Sequence, residues 1–328
     1  MAGPHPAVAA IRTAVRRCLR ADGSADVLVA CSGGADSLAL AAAVAFVAPR
    51  MGRRAGLVTV DHGLQPGSAQ RAAAVAEWGR AYGLTSAVVA TVDVAGRPGG
   101  PEAAARQARY EALVQVAQQR RAGAVLLGHT REDQAETVLL AMVRGAGPRG
   151  LAGMPGRRVV DGVALLRPLL DIGRSQAVAG CAALGLTPWT DPHNDDPAFT
   201  RTRARRLLTS LVESLGPGVV TNLARTAALT AADTAALDEL AAGAAGPDPD
   251  GTLPVAVLAE LAGAVRTRVL RRWALDLGVP GGALGHRHLT ALDALVVDWH
   301  GQGPVHLPGG ITVTRRAGRL VPGKASPA

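Results

Sequence analysis

The sequence predicts an α/β protein: a doubly wound parallel sheet followed by a smaller, mainly helical domain. Two observations carry this. Over the first half of the 328-residue chain, short β-prone runs alternate with helical stretches, the pattern of parallel strands joined by crossover helices. After the turn-rich stretch Thr190-Asp-Pro-His-Asn-Asp-Asp-Pro197 the alternation stops, and long helical runs take over.

The elements follow in order. Val27–Cys31 is the first strand; it ends in Ser32-Gly33-Gly34-Ala35-Asp36-Ser37, and Leu38–Val47 continues as a helix. Adjacent glycines let the backbone bend sharply and let a ligand come close to it. The helix start adds free N–H groups and a positive dipole end, and Ser32 and Ser37 add hydroxyls. The loop is therefore a cradle for phosphate oxygens. Asp36 would repel phosphate unless a divalent cation bridges the two, so the loop predicts a nucleoside triphosphate with its metal. A Walker loop is excluded because it needs a lysine, and the chain's one lysine is Lys324. A dinucleotide fingerprint is excluded because Gly33 and Gly34 are adjacent, with no third glycine at the required offset.

The second strand, Leu57–Val60, leads into Asp61-His62-Gly63. Strand-end backbone there could read an adenine edge and His62 could touch phosphate or substrate; a local turn with a satisfied histidine is the competing reading. A helix over Ala69–Tyr82 and a strand over Ala87–Val92 follow, then a glycine- and proline-rich loop, Gly96–Pro101, beside the site. On the next helix, Glu102–Gln118, the residues Glu102, Arg106, Arg109 and Tyr110 share one face. That face is either solvated or turned into the cleft, where the arginines would serve triphosphate or RNA and the carboxylate an ammonium group.

The fourth strand, Val125–Gly128, delivers His129, and a helix over Asp133–Val143 begins with Asp133, Glu136 and Thr137. First-turn acids often only complement the helix dipole. Beside a nucleotide loop that needs a metal, a second carboxylate is expected, and Asp133 is the choice. Arg144-Gly-Ala-Gly-Pro-Arg-Gly150 reads as a basic RNA-contact loop, and Arg167-Pro-Leu-Leu170 as a strand-like exit that brings a guanidinium toward the cleft. A helix over Arg174–Leu184 completes this part. The predicted organisation is a nucleotide-binding catalytic domain over 1–190, a linker over 191–202, and a mainly helical domain over 203–328. The last has helices over Arg203–Leu215, Val219–Ala242, Val255–Leu277 and His288–Val297 and a short hairpin within Val305–Val321.

Composition narrows the function classes. Apolar residues make up 48% of the chain, enough for a core, while aromatics are only 2%, so the core must be built of Leu, Val and Ala. The net charge of +9 suits a polyanionic partner. Cys18, Cys31 and Cys181 are odd in number and widely spaced, which argues against a disulfide framework or a zinc site and suits a reducing compartment. No apolar run is long enough to span a bilayer, and the arginine-bearing N-terminus has no apolar signal core. A cytoplasmic protein is expected, with monomer and homodimer both open.

Ser32-Gly-Gly-Ala-Asp-Ser37 resembles the loop of the N-type ATP pyrophosphatase (PP-loop) superfamily, with its Rossmann-like sheet. Within it the chain is similar to the tRNA(Ile)-lysidine synthetase family. The likeness rests on Asp61-His-Gly-Leu64, Glu102 with Ala105-Arg106 and Arg109-Tyr110, Gly128-His129 with Asp133-Gln134 and Glu136-Thr137, and Arg144-Gly145 with Gly147-Pro148 and Gly150-Leu151. Arg167-Pro-Leu-Leu170 and Asp191 with Asn194 continue it, and Arg266–Ala274 with Trp273 matches the family's second domain more loosely. The chain departs at His193, where the family usually has Ser, and at Thr202 after Arg201, where it usually has Asn.

The resemblance implies ATP and Mg²⁺, with free L-lysine and the CAU-anticodon tRNA(Ile) as partners. ATP adenylates the C2 oxygen of the wobble cytidine, pyrophosphate leaves, and the lysine ε-amine displaces AMP to give lysidine. The residues it implies are Asp36 and Asp133 for catalysis and metal, and Ser32–Ser37 with Asp61, His62 and Gly63 for the nucleotide. Glu102, Arg106, Arg109, His129, Arg144 and Arg201 are implied for the substrate. A PP-loop tRNA thiolase is the near alternative, disfavoured by the lack of a Cys-x-x-Cys pair; a non-catalytic nucleotide- or RNA-binding module is the other.

Overall fold

The computed structural model describes residues 3–63, 66–93, 100–190, 196, 198 and 200–324, the side chains of Pro101 and Glu102 excepted. The chain divides into two compact units, Met1–Ala231 and Ala232–Ala328.

The first unit runs α1 (Pro6–Asp22), β1 (Asp26–Ala30), α2 (Ala35–Arg50), β2 (Arg54–Asp61), α3 (Ser68–Ala81), β3 (Ala87–Thr91), α4 (Gly100–Gln119), β4 (Ala124–Leu126) and α5 (Arg131–Val143). It continues through α6 (Gly147–Leu151), β5 (Arg157–Val160), β6 (Val163–Leu166), α7 (Arg174–Ala183) and α8 (Thr200–Leu215) into α9 (Gly218–Ala244), which runs through the division between the units. The six strands form one sheet in the order β3-β2-β1-β4-β6-β5, parallel except for β5. From β1 the chain moves outward through β2 and β3, then returns to place β4 on the other side of β1. The carboxyl ends of β1 and β4 therefore flank a topological switch point, where ligands of such sheets bind.

Both faces of the sheet are covered. Val27, Val29 and Leu57 pack with α1, α2 and α7 through Val15, Leu19, Leu40, Val44 and Ala177. Leu28, Val58, Val125 and Leu165 pack on the other face with Leu113, Val114 and Ala117 of α4. Strands buried on two faces read as continuous apolar runs, which is why β1 and β4 stand out in the sequence.

The helix α1, the short helix α6 within the stretch expected as a loop over 144–150, and the β5–β6 hairpin lie outside the sequence reading. Helix α1 buries Val8, Ile11, Val15 and Leu19 at helical spacing, with Arg12, Arg16, Arg17 and Arg20 interleaved among them. The β5–β6 hairpin turns on Asp161 (φ 48°) and Gly162 (φ 80°), a pair of positive φ angles that an Asp-Gly dipeptide supplies readily.

The second unit has its own core. Leu253, Leu258, Leu270, Leu292, Leu295, Val313 and Leu320 surround Trp273, whose indole N–H donates to the Gly251 carbonyl at 2.9 Å. The helix expected over 255–277 is two helices, α10 (Val255–Glu260) and α11 (Gly263–Asp276), because Leu261 and Ala262 are extended, with ψ of 141° and 139°. After α12 (His286–Val297) come β8 (Val305–Leu307), β9 (Ile311–Arg316) and β10 (Arg319–Lys324). The expected hairpin is β9–β10. It recruits β8 and the short β7 (Leu253–Pro254) into a four-stranded antiparallel sheet ordered β7-β10-β9-β8. No helix among the described residues is long and apolar enough to cross a membrane.

Candidate active site at the β1–β4 crevice

The loop after β1 holds its shape through its own serines. Ser37 Oγ donates to the Gly34 carbonyl at 2.9 Å and accepts from the Ser32 amide at 3.1 Å, and the two hydroxyls lie 3.2 Å apart. Gly33 sits at φ +86°, a region that disfavours any side chain, and its carbonyl accepts from the Trp189 amide at 3.0 Å. The loop after β4 presses against it. A Cβ on Gly128 would lie 3.1 Å from Ser37 Cα and 3.2 Å from the Asp36 carbonyl carbon, both backbone atoms that cannot swing aside. Gly128 is thus what lets the two loops meet.

That approach brings Asp36 and Asp133 to one cation. Arg174, the first residue of α7, places Nε 3.4 Å from Asp36 Oδ2 and Nη2 3.3 Å from Asp133 Oδ1. The same Nη2 lies 3.9 Å from Glu136 Oε1, which also accepts from Arg205 of α8 at 3.0 Å. An arginine at a helix N-terminus opposes the helix dipole; here the carboxylates offset that, and Glu132 accepts from the Arg174 amide at 2.8 Å.

The acids differ in environment. Burial, with Asp133 nearby, pushes the Asp36 carboxyl up to about 6 despite Arg174. Burial also pushes Asp133 up, but Arg174 and the Thr130 amide outweigh it and hold this carboxyl below the ordinary range. Asp133 is half a capping group: one oxygen accepts from the Thr130 amide at 2.8 Å and from its hydroxyl at 3.0 Å, and the other faces Arg174. Asp36 Oδ1 and Glu136 Oε2 are buried carboxylate oxygens without a hydrogen-bond partner. A divalent cation fits this donor set. Among the described residues no cluster of three or more His, Cys, Asp or Glu is placed to hold a metal, but Mg²⁺ is commonly held by one or two carboxylates with substrate phosphates.

The second group of expected residues gathers beside Asp133. Arg106, Arg109 and Tyr110 of α4 are half-buried; the Arg106 and Arg109 guanidiniums lie 5.0 and 5.6 Å from the Tyr110 ring centre, and Arg106 donates to its hydroxyl at 3.4 Å. Arg201 of α8 and Arg167 after β6 lie near enough to act electrostatically on His129. Burial, with these arginines, drives the His129 imidazole down to about 3, so it is neutral at pH 7 and its Nδ1 has no partner.

Other expectations fare differently. Asp61 is committed to its own turn: Ser68 and the Gly63 amide bind its carboxylate, the latter at 3.0 Å, and hold it low. Its neighbour His62 has a buried Nδ1 without a partner and lies near Arg109. Arg144 is exposed at the end of α5, apart from the cluster. The side chain of Glu102 and the residues Leu64, Asp191, His193 and Asn194 lie outside the described residues.

Residues 8–212 match the PP-loop domain family, and residues 253–321 match the TilS substrate binding domain. The chain is 65% identical over 324 residues to a tRNA(Ile)-lysidine synthase of Salinispora tropica, covering 98% of this chain and 97% of that one. The chain belongs to the tRNA(Ile)-lysidine synthase family. Lysidine synthases of Thermobifida fusca and Streptomyces coelicolor are 52% and 51% identical, over 98% and 97% of this chain and 99% of each of theirs. Among solved structures, the U34-tRNA thiolase NcsA from Methanococcus maripaludis superposes with a TM-score of 0.57 at 17% identity, covering 67% of this chain and 78% of that one. That likeness is one of fold. In this member of the lysidine synthase family, the residues the sequence reading leaves out of the site are Arg174, Glu136 and Arg205. The one local signal was Arg174 itself, a cation in the first turn of a helix.

Proposed function

We propose that this chain joins lysine to C2 of the wobble cytidine in the CAU anticodon of tRNA(Ile), using ATP and an adenylated RNA intermediate. The observation that carries the reading is the near full-length match to named tRNA(Ile)-lysidine synthases. The geometry supplies parts for each step. The Ser32–Ser37 loop and the start of α2 receive the triphosphate. Asp36, with Asp133 across Arg174, would hold Mg²⁺, which would neutralise the departing pyrophosphate. A carboxyl held as low as Asp133 is a weak base, which favours the metal role over proton abstraction from lysine, whose ammonium has a pKa of about 10.4. The partnerless Glu136 Oε2 is an acceptor suited to that ammonium. A cytoplasmic location suits an enzyme whose substrates are ATP and tRNA.

Cysteine chemistry speaks against the thiolase alternative. Burial pushes the thiols of Cys18 and Cys181 up to about 11 and raises that of Cys31, so none is a ready thiolate. Cys31 and Cys181 contact Ser37 Oγ and the Ala35 carbonyl as packing groups.

Separated half-reactions test the reading. ATP and CAU tRNA alone should yield pyrophosphate and adenylated RNA, with lysidine appearing only on addition of lysine. Asp133→Asn should lose adenylation itself; adenylate that accumulates while lysine attack slows would return Asp133 to the role of base. Pyrophosphate release that ignores tRNA would overturn the assignment.

A further inference from the structure

Strand β3 is one edge of the six-stranded sheet, and its hydrogen bonds show which backbone groups are left over. The Leu57 amide donates to the Ser86 carbonyl at 2.7 Å, and the Val92 amide donates to the Asp61 carbonyl at 2.9 Å. Even-numbered residues therefore turn their backbone groups toward β2, and Ala87, Val89 and Thr91 turn theirs outward. Among the described residues no strand lies beyond them. Natural sheets blunt such edges with charge, proline or a bulge. The other edge of this sheet does so: β5 begins with the exposed Arg157 and Arg158. Strand β3, Ala-Val-Val-Ala-Thr in unbroken register with β2, has none of these devices, and Val89 at its centre is 40% exposed. Beside the edge runs a groove of about 370 Å³, lined by the buried Ala108, Ala112 and Val116 of α4 and the exposed Glu111 and Gln115.

We propose that this edge pairs with β3 of a second copy of the chain, antiparallel about a two-fold axis at Val89, so that the two sheets run on as one. Three features fit a second copy. The outward groups are symmetric about Val89: with Val89 opposite the partner's Val89, Ala87 faces the partner's Thr91, and the N–H and C=O groups of all three residues exchange hydrogen bonds. The faces agree as well. Val88 and Ala90 lie on the α4 side of the sheet, so the partner's Val88 and Ala90 arrive over the groove, and the two Val89 side chains meet on the other face. The charges are complementary. Arg80, near the end of α3, donates to the Ala87 carbonyl at 3.3 Å, at the end of the strand that the partner's Thr91 and then the partner's Asp93 approach. One guanidinium–carboxylate pair thus forms at each end of the ribbon. Nothing in the pairing depends on the lysidine-synthase reading.

Sedimentation equilibrium and hydrogen exchange on the full-length protein test the pairing. Wild type should dimerise as its concentration rises, and the Ala87, Val89 and Thr91 amides should gain protection in step. Val89→Lys sets two like charges face to face at the axis and should weaken association about 10-fold or more, with the melt of the monomer unchanged. Arg80→Asp and Asp93→Arg each put like charges at both ends of the ribbon, so either variant alone should associate more weakly than wild type. Mixed together, the two restore opposite charges at both ends and should form a heterodimer. If each variant melts like wild type and the mixture associates no better than its components, the register is wrong and the proposal fails. A dimer that survives Val89→Lys places the interface on another face and overturns it too. A wild-type protein that stays monomeric refutes it outright and leaves the edge to a foreign strand.

Discussion

Asp36 shows how a single residue trades stability for function. Its carboxyl titrates near 6 in the folded protein against about 3.8 in an unfolded chain, so the folded state binds the extra proton and ionisation opposes folding. The penalty is complete above pH 6 and vanishes as pH falls toward 4. Asp36→Asn should therefore raise stability by roughly 2–3 kcal/mol at pH 7.5, lose that advantage near pH 4, and abolish pyrophosphate release; melting curves at both pH values check the sign. Gly128 makes the complementary point. In Gly128→Ala the added methyl meets backbone rather than a flexible side chain, so the loop after β1 must shift. ATP affinity should fall about 10-fold or more while the melting temperature drops by only a few degrees, as isothermal titration would report.

At the scale of elements, α5, α7 and α8 are joined by charge as much as by packing. Arg174 and Arg205 face Asp133 and Glu136 of α5, and Arg174 also reaches Asp36 at the start of α2, so four helices meet at these charges. Arg174→Met leaves partly buried carboxylates without their cation, which costs on the order of 3 kcal/mol. Millimolar Mg²⁺ should restore more melting temperature to this variant than to wild type; equal shifts would show that no cation takes the place of the guanidinium. The sequence made the β1–loop–α2 unit legible because strand, glycine turn and helix are consecutive, and their chemistry is local. It made Asp133 legible for the same reason. Arg174 and Arg205 were not, because what gives them meaning lies on other helices and arrives only through the sheet's crossover order. The split between α10 and α11 was hidden differently: Leu261 and Ala262 are both good helix formers, and tertiary packing overrides them. The Asp161-Gly162 turn is the opposite case, a local signal: both residues sit at positive φ, which an Asp-Gly dipeptide tolerates.

For the whole molecule, the +9 charge predicts tRNA affinity that falls steeply with salt, but not every arginine contributes. In the second unit Arg266 pairs with Asp293 at 2.7 Å and donates to the Leu261 carbonyl, Arg268 pairs with Asp238 at 3.1 Å, and Arg315 caps the end of α12. These are internal fasteners. Arg266→Ala should lower the melting temperature and leave the salt slope intact, whereas exposed Arg144→Ala should flatten the slope by about 1 with an unchanged melt. The place of α8 has one more consequence. It follows the linker in sequence, yet it packs on α5 and carries Arg201 and Arg205. A recombinant fragment cut at residue 190 would be expressed with Glu136 stripped of its closest counter-ion and the face of α5 left bare to solvent. Such a piece should aggregate, while one ending at 231 should purify as a folded ATP-binding protein, so the smallest workable crystallisation target extends 65 residues past the last strand of the sheet, Val163–Leu166.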